Sequence, residues 1–274
     1  MVLDRRHTNP DLPSYTATNI GKVEIPYIVK AMTLPNFIGL GVQKGGTSWL
    51  HKQFIAHPQI FIPEDRKEIH FFDWYYDRGL EWYKKWFSKA QDDQVAIGEI
   101  TPEYLYFEEV MPRIKKDFPK SKFVIILRHP VTRAYSHYQM IFQSGEGQKY
   151  KDFSHFMRSH PHGYKRGLYF DQLQRWFKEF KKDQFLILSY EETFLKKDGI
   201  DHVFKEIGNF LNIDPNLFDQ ELAMKKVGKG RDIPRFIFLA KIAQKFRNYL
   251  RSKDLDHIAI LLKKIGFTRE IFGS

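Results

Sequence analysis

The chain has no cysteine, which excludes disulfide frameworks, thiolate nucleophiles and cysteine-ligated zinc. It has no apolar run near the roughly 18 residues that span a bilayer and no early secretory leader, so a cytoplasmic protein is expected. It lacks repeats, low-complexity runs and Ser/Gly/Pro-rich linkers, so its 274 residues read as one domain with a full α/β core. No metal-ligand spacing stands out, and no metal is expected. Acidic residues are in deficit: 33 Asp plus Glu face 44 Lys plus Arg, a formal charge of +11. Partners should therefore be anionic, and composition does not rank an acidic substrate, an acidic protein, a membrane surface or nucleic acid.

What is present begins with residues 37–50, FIGLGVQKGGTSWL, an apolar strand that enters a glycine-rich basic turn and then a helix. Such a turn cradles an anion. Gly45 and Gly46 let the backbone approach closely, Thr47 and Ser48 offer donors at the positive end of the helix, and Lys44 adds a full charge. A nucleoside-triphosphate loop places Lys directly before Ser or Thr, whereas here Lys44 comes first, which disfavours ordinary ATP or GTP. A second unit, KFVIIL followed by Arg128-His129-Pro130, is a buried parallel strand that runs into a helix with Pro at its first position. Arg128 and Ser136 flank that helix start. Two strand-to-helix anion sites in one chain suit a nucleotide with phosphates at both ends, one that carries a 3′-phosphate and a 5′-phosphosulfate.

QKGGTSWL (43–50) and ILRHPVTRAYSHY (126–138) together resemble the two cofactor motifs of sulfotransferases that use 3′-phosphoadenosine 5′-phosphosulfate (PAPS). KEIHFFDW (67–74), followed by GLEWYKKWF (79–87), is similar to heparan sulfate sulfotransferases and their bacterial relatives. The resemblance covers roughly residues 36–231. It implies PAPS as sulfuryl donor and 3′-phosphoadenosine 5′-phosphate (PAP) as product. It also implies Glu68 as general base with His70 as the fallback, a 3′-phosphate site of Arg128 and Ser136, and a closing loop of Lys229, Gly230 and Arg231. Trp49 stands where cytosolic relatives stack adenine, although a tryptophan there equally suits a core. Arg133 is a weaker candidate for the 3′-phosphate site, since one turn of helix can carry it outward to solvent. One departure concerns the acceptor: where 3-O-sulfotransferases carry a lysine before Thr-Pro, this chain has Ile100, and Glu99 and Glu103 make the neighbourhood acidic.

The expected architecture is a single α/β domain, a central parallel β-sheet flanked by helices with a P-loop-like strand-loop-helix. An irregular arm (1–35), a core (36–232) and a basic amphipathic helical segment (233–274) divide it. Strands are expected at 37–42, 95–98, 123–127 and 185–189, and helices at 47–57, 104–118, 131–142, 167–181 and 202–211, an alternation that implies right-handed crossovers. Lys44 and Arg128 then both fall at the carboxyl ends of strands, where such sheets bind ligands. Between Arg231 and Lys253 seven basic residues accompany one acid. Leu239, Ile242, Ala243, Phe246, Tyr249 and Leu250 recur there at helical spacing, which fits a helix packed on the domain or one docked to a membrane or an acidic partner.

Sulfuryl transfer builds charge on the bridging oxygen of the leaving phosphate, and Lys44 is placed to stabilise it. The transferred group carries less charge than a γ-phosphate, so Lys44, the helix dipole and backbone N–H groups suffice without magnesium. The acceptor, a small-molecule, glycan, lipid or carrier-bound hydroxyl or less readily an amine, must lose a proton to a base. Residues 69–87, with Phe71, Phe72, Trp74, Trp82 and Trp86, and residues 145–164 are expected to line its cleft. Two other readings compete: a small-molecule kinase with an atypical phosphate loop, which needs magnesium ligands that are not visible, and a non-catalytic basic nucleotide- or nucleic-acid-binding protein. The latter calls for aromatics interleaved with exposed basic residues, so nucleic acid is not expected as a partner.

Overall fold

The computed structural model describes residues 34–144, 146–225 and 237–256, together with 258 and 261. The strands are β1 (Phe37–Gly41), β2 (Ile60–Phe61), β3 (Ala96–Ile100), β4 (Lys122–Leu127) and β5 (Phe185–Ser189). They form one parallel sheet in the order β2-β3-β1-β4-β5. The helices α1 (Thr47–Ala56), α2 (Phe71–Trp74), α3 (Leu80–Lys84), α4 (Val110–Asp117), α5 (Pro130–Gln143), α6 (Phe153–Ser159), α7 (Tyr169–Glu179), α8 (Tyr190–Leu195), α9 (Gly199–Leu211), α10 (Gln220–Met224) and α11 (Ile237–Ser252) complete the fold.

β1 is buried along its whole length, and its alternation divides the core. Ile38 and Leu40 join the cluster under α2, α3, α4 and α7, whereas Phe37 joins Trp49, Leu50 and Phe54 of α1 with Val203, Phe204 and Ile207 of α9. Burial on both faces explains the near-continuous apolar strands. After β1 the chain builds β2 and β3 on one side and then crosses to β4 and β5 on the other. The carboxyl ends of β1 and β4 therefore flank the point where strand order reverses, the crevice in which open α/β sheets bind ligands.

The expected helix at 104–118 is shorter. It forms over Val110–Asp117, because Pro112 lacks an N–H and is tolerated within a first turn but not a helix interior. Upstream, the Leu105 N–H donates to the Leu40 carbonyl at 3.0 Å instead. β2, of two residues, and α8 were not anticipated. On α11, Ile242, Phe246 and Tyr249 are 47%, 48% and 58% exposed, while Leu250 is buried. Part of the expected apolar face thus points away from the domain. Among the described residues no helix is long and apolar enough to cross a membrane. The arm at 1–33 and most of the segment beyond 256 lie outside the described residues.

Candidate active site

The anion loop, residues 42–46, is pinned between two strands. The Val42 N–H donates to the Ile126 carbonyl of β4 at 3.1 Å, and the Gly45 N–H closes the turn on the Val42 carbonyl at 2.9 Å. A Cβ at Gly45 would lie 2.4 Å from the Ile126 oxygen, so any side chain there would push the loop off β4. Gly46 sits at φ 113° and Lys44 at φ 69°, left-handed conformations that tighten the turn ahead of α1. α1 begins immediately afterwards with no side-chain cap and no acidic residue in its first turn, which leaves its positive end open to an anion.

β4 delivers Arg128 to the same loop. Its Nη1 donates to the Lys44 carbonyl at 3.3 Å and its Nε to Thr132 Oγ1 at 3.2 Å, and its guanidinium lies 4.4 Å from the Tyr190 ring centre. Arg128 and Ser136 line one cleft of about 330 Å³ with Val131, Thr132, Tyr135, Gln139 and Phe153. Arg133 does not turn outward: it is wholly buried and donates to the Gly163 carbonyl at 2.7 Å. A larger concavity, about 680 Å³, lies along 60–65 and 82–94 and includes none of Lys44, Glu68 or Arg128.

On the other side of the loop a chain of charges leads to the expected base. Lys67 Nζ donates to Ser48 Oγ at 2.8 Å and lies 3.3 Å from Glu68 Oε1. Glu68 Oε2 is 3.4 Å from His70 Nε2, and His70 Nδ1 is 2.8 Å from Asp73 Oδ2. Burial opposes ionisation of Glu68, but the His70 hydrogen bond and the Lys67 charge outweigh it and hold the carboxyl at about 2. Burial likewise disfavours the His70 cation, and its two carboxylate partners overcome that and raise its pKa. His51 on α1 is driven down to about 4 by burial and by Lys67. Below this chain, the His70 N–H donates to Thr101 Oγ1, and Thr101, Tyr83 and Tyr104 all donate to the buried Glu99 carboxylate.

Several sequence expectations need correction. Trp49 is 4% exposed, stacked on Phe204, edge-on to Phe194, and donates to the Ala223 carbonyl at 3.0 Å. Buried in this way, it packs as a core residue and offers no open face to a nucleotide base. Phe71 and Phe72 are buried in the core, and Trp82 and Trp86 pack around Arg66. Of these five aromatics Trp74 is the exposed one, at 54%, stacked 3.7 Å from the His70 ring. The acidic neighbourhood is also absent as such. Glu99 is buried, and Glu103 is taken up by Arg166 at 3.3 Å and Gln43 at 2.8 Å. Ile100, at the departure from the relatives, is core.

The structure brings together Lys44, Gly45, Gly46, Thr47, Ser48, Arg128, Glu68 and His70 through the contacts above. Lys229, Gly230 and Arg231 lie outside the described residues. Sequence reasoning missed Lys67 and Asp73. Their signal was present as a cation adjoining Glu68 and an acid three residues after His70, one turn of helix away. Among the described residues no three His, Asp or Glu side chains gather as metal ligands would.

Comparison with known proteins gives a consistent family. The family model described as "Sulfotransferase domain" matches residues 34–229. The membrane-associated sulfotransferase kil1 of Dictyostelium discoideum is 39% identical over 121 residues, 43% of this chain and 26% of that protein. Heparan sulfate glucosamine 3-O-sulfotransferase 5 of Homo sapiens is 30% identical over 224 residues, 77% of this chain and 63% of that protein. The matches thus span about a quarter and under two thirds of these relatives' lengths. A sulfotransferase from Alicyclobacillus acidocaldarius shares the fold, with a TM-score of 0.60 at 22% identity over 82% of this chain and 96% of that one.

Proposed function

The chain belongs to the sulfotransferase family, and we propose from this that it transfers a sulfuryl group from PAPS to an acceptor hydroxyl, with Glu68 as the base. The residues fit that donor. Gly45 and Gly46 keep the loop narrow and open to an anion, α1 starts uncapped, and Arg128 stands at the same loop beside a cleft that reaches Ser136. When bound, PAPS supplies the sulfuryl group and is released as PAP. Backbone N–H groups of Gly46 to Ser48 hold the 5′-phosphate, the Gly45 N–H being taken by the Val42 carbonyl, and Lys44 neutralises the charge that grows on the leaving oxygen. Arg128 and Ser136 hold the 3′-phosphate, and the resemblance adds Lys229, Gly230 and Arg231 to that end of the site.

The observation that carries the reading is the Ser48–Lys67–Glu68–His70 chain, which joins the anion loop to a carboxylate. His70, set between two carboxylates, favours its cationic form and is thereby a poor proton acceptor; it orients Glu68 instead. Lys67 reaches both Ser48 and Glu68. An anion on the loop competes for that ammonium, and as Lys67 turns toward it Glu68 becomes the stronger base.

Relatives named as heparan sulfate glucosamine 3-O-sulfotransferases support a carbohydrate hydroxyl as acceptor, and the exposed face of Trp74 beside His70 suits a sugar ring. A labelled-PAPS screen of glycans against hydroxylated lipids and carrier-bound acceptors tests this. The outward Ile242, Phe246 and Tyr249 on a helix with no acidic residue support an anionic membrane surface as a further partner. For the donor, calorimetry should find PAP bound at least about tenfold more tightly than AMP, equivalent to ~1.4 kcal/mol. Equal affinity would remove the 3′-phosphate site and with it the reading.

A further inference from the structure

The family-model match ends at residue 229, and α11 begins after it. The carboxyl end of α11 and the residues just after it meet the segment that bears Glu68. Asp254, in the left-handed region at φ 58°, accepts from Arg78 Nη1 at 2.7 Å on each of its oxygens, from Trp82 Nε1 at 2.7 Å and from Arg66 Nη1 at 3.2 Å. Arg66 is a buried guanidinium that lies 4.9 Å from the Tyr75 ring and 5.0 Å from the Trp86 ring, with Asp256 at 3.5 Å as its second acid. One turn before Asp254, Arg251 Nη2 donates to the Glu68 carbonyl.

These contacts matter because nothing in the local backbone replaces them. Among the described residues, 62–69 make no backbone-to-backbone hydrogen bond. The stretch between the edge strand β2 and α2 is therefore placed by side chains, and those from the C-terminal segment grip it at Arg66 and again at Glu68. A buried guanidinium that loses the nearer of its two carboxylates, Asp254 at 3.2 Å against Asp256 at 3.5 Å, is destabilised where it stands and shifts toward water, and Glu68 lies two residues away on the same stretch.

We propose that the segment from Arg251 to Asp254 is a positioning strap for the base: Asp254 anchors Arg66, Arg251 anchors the Glu68 carbonyl, and together they hold the Glu68 carboxylate against His70 and Lys67. Arg251 and Asp254 are positioning residues that act through Glu68. The inference rests on the reading of Glu68 as base, and its test does not require turnover.

The test is an NMR titration of the His70 imidazole in the full chain without nucleotide. It compares wild type, Asp254→Asn, Asp254→Glu, Arg251→Met and Glu68→Gln, with PAP affinity measured on each. His70 is faced by Glu68 from the loop and by Asp73 from α2, and Asp73 is unchanged in every variant. Asp254→Asn and Arg251→Met should each bring the His70 titration down toward that of Glu68→Gln, Asp254→Glu should restore it, and PAP affinity should stay within about twofold. With an acceptor that supports turnover, kcat should fall about tenfold or more while KM for PAPS holds, as for a displaced catalytic group. A His70 titration unchanged in both Asp254→Asn and Arg251→Met overturns the strap. If Asp254→Asn does not fold, Arg251→Met decides alone, since it removes a single bond to a backbone carbonyl. Failure of the wild type to bind PAP overturns the proposed function instead, and leaves the His70 comparison standing.

Discussion

Glu68 and His70 stabilise each other's charged forms, so their pH signatures run in opposite directions. The Glu68 pKa falls on folding from 4.5 to about 2; its contribution to stability is present above 4.5 and is lost as pH drops toward 2. The His70 pKa is raised above 6.5; its contribution is complete below 6.5 and disappears as pH rises through the folded value. Thermal melts should therefore show wild type losing stability relative to Glu68→Gln as pH rises from neutral, and a parallel course would contradict the pairing. In catalysis, Glu68→Gln should abolish most turnover while PAP still binds, because the amide cannot take a proton. Lys44→Ala should lower kcat by on the order of a hundredfold, as for the loss of one oxyanion donor, with a smaller effect on PAP affinity. Collapse of binding with turnover retained would make Lys44 a positioning group only. The proximity of Lys44, Gly45, Gly46 and Arg128 was legible because a glycine-rich turn and a strand-to-helix junction each leave a local pattern in the sequence. The contact of Lys67 with Ser48 was not legible, since it joins the stretch before α2 to the first turn of α1, 19 residues away in the chain.

At the scale of elements, strands and long helices announced themselves by composition and period, and the errors came where a local pattern met a tertiary constraint. Trp49 lies on α1 at a position that points into α9 and α10 rather than into the cleft. Trp49→Phe should accordingly lower Tm while PAP affinity stays within about twofold, because the smaller ring leaves a cavity in a packed core. A large loss of PAP affinity at unchanged Tm would return the residue to the nucleotide. Gly45→Ala is the converse case. Its added Cβ meets the Ile126 oxygen, so the loop must shift from β4, and PAP affinity measured by calorimetry should drop at least about tenfold. Helix α8 could have been read from Ser189, whose side chain accepts the Glu192 N–H at 3.2 Å, an N-cap signature hidden by its abutment on β5. The shortened α4 was also within reach, through Pro112.

For the whole molecule, the +11 charge and the outward apolar stripe of α11 make a lipid experiment decisive. The full chain should sediment with vesicles of phosphatidylserine and phosphatidylcholine, and not with phosphatidylcholine alone. Ile242→Asp combined with Phe246→Asp should abolish this, and sedimentation unaffected by that pair would assign it to other basic surface. The sequence by itself determined the α/β class, the parallel strands and the two strand-to-helix turns at their carboxyl ends. Each of these depends on residues close together in the chain: period, burial and glycine conformation are local properties, and a strand that runs into a basic Gly-Gly turn has few other uses. Only the tertiary structure decided which charges meet. It brought Arg128 to the Lys44 carbonyl, Lys67 to Ser48, Arg166 to Glu103 and Asp254 to Arg66. The partners in these pairs stand far apart in the chain, and the distance between their charges is set by how the sheet and its helices pack. For the same reason an acid read as an unfavourable patch, Glu103, proved neutralised, and an arginine that one turn of helix can carry to solvent, Arg133, proved buried.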